Sequence, residues 1–261
     1  MATIRQHTEF SYAGVLSSTY DIINVNVSDG MQSESLVTER KIRETTIRGK
    51  DKPYFHEVIT SPRTLNLSFA FTTEWYDDDT KIDILDDVID WLCGHDYYQP
   101  LYFVDEPGRI YYALVVETPE IIHNCANDGY INLTFRCDSP YAYGALTTGA
   151  LIDCSVEPTS INFVNSGTVN LKPEMEIIKA GAGDITITNV TDDNSQFILT
   201  GLAHGEIIYV DNENETIETD IPLTYRYSNH NDVFLRLLPA TSSLIVSGTC
   251  SLQFRYQFKY R

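Results

Sequence analysis

Few side chains in this sequence sit at spacings that chemistry could use. His56-Glu57 begins a HExxH pattern, in which two histidines one helical turn apart hold zinc and the glutamate activates water. The second histidine position is Thr60, and one histidine does not make a zinc site. Gly181-Ala182-Gly183 begins a GxGxxG pattern, whose glycines let backbone N–H groups approach a pyrophosphate. Its last position is Thr186, and a hairpin turn is expected there instead of a helix. Asp211, Asn212, Glu213, Asn214 and Glu215 look like the start of a calcium loop. The sixth position is Thr216 in place of glycine and the twelfth is Pro222 in place of a bidentate glutamate, so a solvated hairpin tip is expected. Asp77, Asp78 and Asp79 could attract a divalent cation. Helix capping explains them more simply, because aspartates at a helix start accept from free N–H groups and suit the dipole. Asp83, Asp86, Asp87 and Asp90 read as the wet side of that helix. No GxSxG occurs, and no cysteine is read as a nucleophile activated by a histidine. No catalytic, cofactor-binding or metal-ligating residue is assigned, and no enzyme activity is expected.

The elements that carry these residues are mostly strands. Period-two alternation, the mark of a half-buried strand, recurs along the chain. Leu65, Leu67, Phe69 and Phe71 alternate with Asn66, Ser68 and Ala70; Ile131, Leu133, Phe135 and Cys137 alternate with Asn132, Thr134 and Arg136. At the C-terminus Leu252, Phe254, Tyr256, Phe258 and Tyr260 face one way, with Ser251, Gln253, Arg255, Gln257 and Lys259 facing the other. A slip of one residue would expose that whole aromatic row, so a firm register is expected. One segment, residues 80–93, reads as a helix through Ile82, Leu85, Val88, Ile89 and Leu92, with Gly94 where a left-handed cap belongs. Turns such as Glu106-Pro107-Gly108, Asn127-Asp128-Gly129 and Asp192-Asp193-Asn194 punctuate the rest and suggest sandwiches or barrels. The helix lies in the first half and the second half is all strand. A stretch rich in Ser, Pro, Gly and Thr, residues 138–149, separates them. Two domains are expected, residues 1–143 and 144–261.

Composition narrows the function classes. The 261 residues are 43% hydrophobic and 21% charged, ordinary for a globular protein, and carry a formal charge of -19. Gripping phosphates needs Lys and Arg, so stable nucleic-acid binding is not expected. The acidity also repels anionic membranes. No apolar run approaches the ~18 residues of a membrane-spanning helix. MATIRQHTEF has no basic segment followed by an apolar core, so folding in a cytoplasm is expected. The five cysteines, Cys93, Cys125, Cys137, Cys154 and Cys250, are then expected as buried free thiols. A hairpin turning at Asn127-Asp128-Gly129 would leave Cys137 several pairs away from Cys125, too far to bridge. Sequons at Asn26, Asn66, Asn132, Asn189 and Asn214 read as polar strand and turn chemistry. Seventeen tyrosines and eleven phenylalanines suit strands, with core or subunit contact favoured over a sugar platform. Asp96-Tyr97-Tyr98-Gln99-Pro100 is the best candidate for exposed aromatics.

Residues 28–52 differ from the rest. They mix Glu34, Glu39, Arg40, Lys41, Arg43, Glu44, Arg48, Lys50, Asp51 and Lys52, with weak alternation through Ile42 and Ile47. They read as a long, exposed hairpin or arm, and an arm with little core of its own is ordered by a neighbour.

Several segments together carry a family resemblance. Val88-Ile89-Asp90-Trp91-Leu92 is followed by Pro100-Leu101-Tyr102-Phe103, Asp105-Glu106-Pro107-Gly108 and Ile110-Tyr111-Tyr112-Ala113. This order resembles the distal tail proteins of siphophages: a helix ending in Trp-Leu, then a strand, a turn and a Tyr-rich strand. Phe135-Arg136-Cys137-Asp138-Ser139-Pro140-Tyr141-Ala142-Tyr143 is similar to the end of that family's first domain. Asn165-Ser166-Gly167-Thr168, Pro173, Asn189-Val190-Thr191 and Gly205-Glu206-Ile207-Ile208-Tyr209-Val210-Asp211 follow the family's order in the second half. Phe234-Leu235-Arg236-Leu237-Leu238-Pro239 precedes the final strands. Members often have Pro-Gly there, then an Asn; this chain has Pro239-Ala240 and Ser242-Ser243, a departure that bears on the tight turn and not on the family.

The resemblance implies a mainly β chain: an N-terminal β-sandwich with one helix and a long hairpin arm, then a galectin-like β-sandwich. It implies a non-enzymatic virion protein, made in the host cytoplasm, whose hexameric ring sits at the distal end of a long non-contractile tail. The arm at 28–52 would clasp the adjacent subunit. The ring would meet the tail tube and tape-measure proteins above, and a tail-associated hub or lysin protein below, with a receptor-binding protein as a further partner. An alternative is a carbohydrate-binding receptor-recognition protein of the tail, using the second domain's aromatics.

Overall fold

The computed structural model describes residues 8–25, 37–71, 81–123 and 129–261, with the side chains of residues 81–83 left aside. Asn26, Asp77, Asp78, Asp79, Cys125 and the Asn127-Asp128 turn lie outside the described residues, as do the Ile82 and Asp83 side chains. The chain is mainly β with one α-helix, and it divides into two compact units, residues 1–142 together with Arg261 and residues 143–260.

The first unit is built from β1 (Phe10–Tyr12), β2 (Val15–Leu16), β3 (Ile22–Asn24), β4 (Arg40–Thr45), β5 (Tyr54–Thr60), β6 (Thr64–Phe71), α1 (Lys81–Cys93), β7 (Gln99–Phe103), β8 (Tyr111–His123) and β9 (Gly129–Cys137). Seven strands form one antiparallel sheet in the order β2-β1-β7-β8-β9-β6-β3. Phe10 on β1 and Phe69 on β6 stand four places apart in that order, yet their rings stack with centroids 4.3 Å apart. Strands in a flat sheet would separate them by roughly 19 Å at the usual spacing. The sheet therefore curls until its two halves face each other, and the Asn24 N–H donates to Thr8 O at 2.9 Å across the gap. Alternation in β6 and β9 follows the sequence reading: Leu67, Phe69, Ile131, Leu133, Phe135 and Cys137 are buried inside the curl.

Helix α1 lies against this core through Val88, Trp91 and Leu92. Trp91 stacks on Phe10 at 5.7 Å, and its indole N–H donates to Tyr12 O at 2.9 Å. Two expectations need correction. Ile89 is 45% exposed, because the buried stripe runs through Trp91 instead. Gly94 is not left-handed; a Cβ there would lie 2.4 Å from Asp90 O, so close approach to the helix end excludes a larger residue.

The second unit contains β10 (Ala142–Tyr143), which spans the division, then β11 (Thr147–Thr148), β12 (Ile152–Cys154), β13 (Thr159–Asn165), β14 (Glu174–Lys179), β15 (Gly183–Asn189), β16 (Ser195–Leu202), β17 (Ile207–Asp211), β18 (Thr216–Thr219), β19 (Ala240–Ser247), β20 (Cys250–Tyr256) and β21 (Lys259–Tyr260). One sheet runs β11-β20-β14-β17-β18, with β12 also on β20; the other runs β13-β19-β15-β16. Inward residues of both sheets, including Ile177, Ile187, Leu199, Ile208, Leu244 and Leu252, form one core. This is a two-sheet sandwich. The C-terminal aromatic row is interrupted: β20 ends at Tyr256, and Phe258 is half-buried between β20 and β21. Gly144 N–H donates to Phe258 O at 2.8 Å, a backbone bond that the alternation could not reveal.

Candidate assembly surfaces

The β4–β5 hairpin is the most unusual element. It forms a two-stranded sheet that pairs with no other strand among the described residues. Nearly every residue in it is exposed, including Ile42 and Phe55, each at 63%. Register sets its faces. Ile42 pairs with Val58 and, past a bulge, Glu44 pairs with Phe55, so Ile42, Val58 and Phe55 share a face. The opposite face carries the Arg43–Glu57 ion pair at 3.0 Å and the Lys41 and Ile59 pair. Isolated hairpins are marginal in water, and neither outer edge here pairs with another strand among the described residues. Covering a Val, Ile or Phe side chain contributes about 1.5–3 kcal/mol. What this element offers is apolar surface open to burial.

The arm's expected bounds need correction. Its second strand is Tyr54–Thr60, beyond the expected end at residue 52. Phe55, Val58 and Ile59 were missed because apolar residues there occupy both parities, which masks strand alternation. His56 of the HExxH-like pattern lies on this strand, and its Nε2 pairs with Thr45 Oγ1 at 2.8 Å.

Other sequence candidates resolve into structural roles. The Asp211 carboxylate accepts the N–H groups of Glu213 at 2.9 Å and Asn214 at 3.0 Å, with Asn214 Nδ2 at 2.7 Å, closing the β17–β18 turn. Burial pushes its pKa up, but these hydrogen bonds outweigh it and hold the carboxyl below its ordinary range. Gly181 and Gly183 form the β14–β15 turn at φ 76° and 132°. Asn189 is buried, donating to Arg236 O at 2.7 Å. Among the described residues, no group of three or more His, Cys, Asp or Glu could hold a metal. No helix described is long and apolar enough to cross a membrane. The described cysteines are free, and Cys93 is exposed, contrary to the expectation of burial, because it ends α1 on the side away from Val88 and Leu92.

Exposed aromatics appear where expected and elsewhere. Tyr97 is exposed, while Tyr98 bonds to Arg136. The sequence reading missed the loop after β18, where Leu223 is 97% exposed at a left-handed φ of 58° and Tyr225 stands beside it in solvent. Arg226, the next residue, ties that loop to the buried Glu206 carboxylate. Burial pushes the Glu206 pKa up; hydrogen bonds from Arg226, Ala203 and Thr219 outweigh it and hold the pKa below the ordinary value.

A polar groove opens where β8 bulges between Val116 and Glu120. Glu117 and Glu120 line it with Asn132 and Thr134, and Thr134 Oγ1 donates to Glu117 Oε2 at 3.0 Å. Among the described residues, no histidine, cysteine, lysine or arginine lines it.

Comparison with known proteins matches this architecture. Residues 5–139 match a family described as a phage tail protein N-terminal domain, and residues 141–256 match a phage tail C-terminal domain. The SPbeta prophage-derived protein YomH of Bacillus subtilis strain 168 is 30% identical over 257 residues, covering 98% of this chain and 99% of YomH. Among solved structures, the SPP1 Dit protein, from the hub adsorption apparatus of phages that infect Gram-positive bacteria, superimposes with a TM-score of 0.70. The alignment has 17% identity and covers 96% of this chain and 98% of that one. A chain of the phage P2 baseplate gives a TM-score of 0.45 at 7% identity over 95% of this chain and 97% of that one. The two family matches and the YomH relative show that the chain belongs to a family of phage tail proteins, and its fold is that of the SPP1 Dit protein.

Proposed function

We propose that the protein is a distal tail protein that builds a ring of six copies at the end of a long non-contractile tail. In this reading the ring joins the tail tube to the host-adhesion apparatus. The observation that carries it is the β4–β5 hairpin, whose Ile42, Val58 and Phe55 face belongs to a sheet that pairs with no other strand among the described residues. Laid on a neighbouring copy, that face buries apolar surface. A head-to-tail contact of this kind closes into a ring when its rotation permits. The first unit makes the ring. Tail tube and tape-measure proteins would contact one side, and a tail-associated hub or lysin protein the other. The acidity suits a channel through which DNA slides without sticking. No bond-making chemistry is needed, and the protein acts in the virion.

Negative-stain microscopy of the purified chain tests this reading. Sixfold rings with a central hole are expected, forming alone or on mixing with a hub protein. Single particles under both conditions would reject it. Strong, specific binding of the isolated protein to host cell-wall glycans would favour the receptor-recognition alternative.

A further inference from the structure

Cys154 and Cys250 stand directly opposite one another in the antiparallel β12–β20 pair. Opposed residues share a face of the sheet, and their Cα atoms lie about 4.5 to 5.5 Å apart. Disulfides span Cα separations of about 4.4 to 6.8 Å. Both side chains are buried and both thiols are free. The Cys154 thiol donates weakly to Ile152 O at 3.9 Å. Cys137, by contrast, faces Ala113 across the β8–β9 pair.

We propose that Cys154 and Cys250 are an oxidative modification site, closing into a cross-strand disulfide when the protein passes from a reducing to an oxidising medium. Disulfides persist on virion surfaces and outside cells, where a tail protein completes its work. The oxidant class is a small organic disulfide. The Cys154 thiol loses its proton, and the thiolate attacks one sulfur of the oxidant. The oxidant's S–S bond breaks and one small thiolate leaves, taking a proton from water. Cys250, deprotonated in turn, attacks the Cys154 sulfur of the mixed disulfide and releases the second small thiol. The protein gives up two protons and two electrons, and the oxidant is reduced to two thiols.

Cys154 takes the first step because β12 is short and, among the described residues, pairs with β20 alone. Its neighbour Leu151 is exposed, so local fraying opens that strand first. Burial pushes the Cys250 thiol up to about 12, which keeps it protonated until the mixed disulfide brings its target into contact. Closure is accordingly slow, paced by opening of β12. The bond would clip the first strands of the second unit to β20.

The test uses the full chain. It is incubated folded with a small organic disulfide, then unfolded in an alkylating reagent and digested without reductant. The expected main product joins the Cys154 and Cys250 peptides and is two hydrogens lighter than the separate pair, while Cys137 is recovered alkylated. Reductant separates the pair again. In Cys250→Ser, the reaction stops at a stable mixed disulfide on Cys154. Recovery of both cysteines as alkylated thiols after prolonged oxidation overturns the proposal. So does a stable mixed disulfide on Cys154 in the intact chain, since it would show that Cys250 cannot reach Cys154; a mixed disulfide on the exposed Cys93 bears on neither outcome.

Discussion

Ala240 stands opposite Asn165 at the end of the β13–β19 pair, and it does so at a φ of 74°. The left-handed region costs an L-residue about 1–2 kcal/mol. Glycine would relieve that strain and give back about 0.5–1 kcal/mol through its freer unfolded chain. Ala240→Gly is therefore expected to stabilise the second unit by up to about 1 kcal/mol, raising its midpoint in urea unfolding. A lower midpoint would show that the turn holds no such strain.

A second expectation concerns a buried ion pair. Arg226 Nε and Nη2 each donate to the Glu206 carboxylate at 2.7 Å, with Ala203 N–H and Thr219 Oγ1 completing the set at 2.8 Å. The Glu206 side chain has no exposed surface. Removing one partner of a buried pair costs about 3–5 kcal/mol, because the other charge is left unpaired. Arg226→Ala should lower the unfolding free energy of the second unit by that amount and release the Leu223 and Tyr225 loop to protease. A loss under about 1 kcal/mol would contradict the role given to the pair.

The same pair sets a pH dependence. The folded Glu206 pKa lies below the ordinary 4.5, so folding favours the ionised form. Its contribution is complete above the unfolded value and is lost as pH falls through the folded one. Thermal scans from pH 6 downward should show the second unit losing stability below about pH 4.5. In Glu206→Gln that slope should flatten. An equal slope in both proteins would assign the acid sensitivity to other carboxylates.

In the first unit, Phe10 is fully buried against Phe69 and Trp91. Phe10→Ala should destabilise that unit by about 3–5 kcal/mol, read from denaturant unfolding. Because the stack joins opposite halves of one curled sheet, a cost near 1 kcal/mol would mean that the curl is held elsewhere.

The parts of this architecture that could be read in the sequence were those with one-sided burial. Leu67, Phe69, Ile131, Leu133 and Phe135 alternate because one face of β6 and β9 meets the core. Gly94 was legible as a helix end but not in conformation, since spacing carries no φ. The curl that brings Phe10 to Phe69 depends on contacts between residues 59 positions apart in the chain, which local periodicity cannot encode. The hairpin was legible as an arm from its mixed charge, yet its second strand was not. Tyr54, Phe55, Val58 and Ile59 place apolar groups on both faces, which hides the period-two signal of a strand. Leu223 and Tyr225 are displayed by a tie between Arg226 and Glu206, twenty residues apart, and no local signal announces it.

The most direct test of hairpin-mediated assembly is the light-scattering mass of the intact chain beside Ile42→Glu/Phe55→Glu, under conditions in which the intact chain assembles. The intact chain is expected at six times the 29.6 kDa of one copy, and the variant as folded single copies with unchanged circular dichroism. If the variant reaches the same mass as the intact chain, the exposed face of the hairpin does not hold the assembly together.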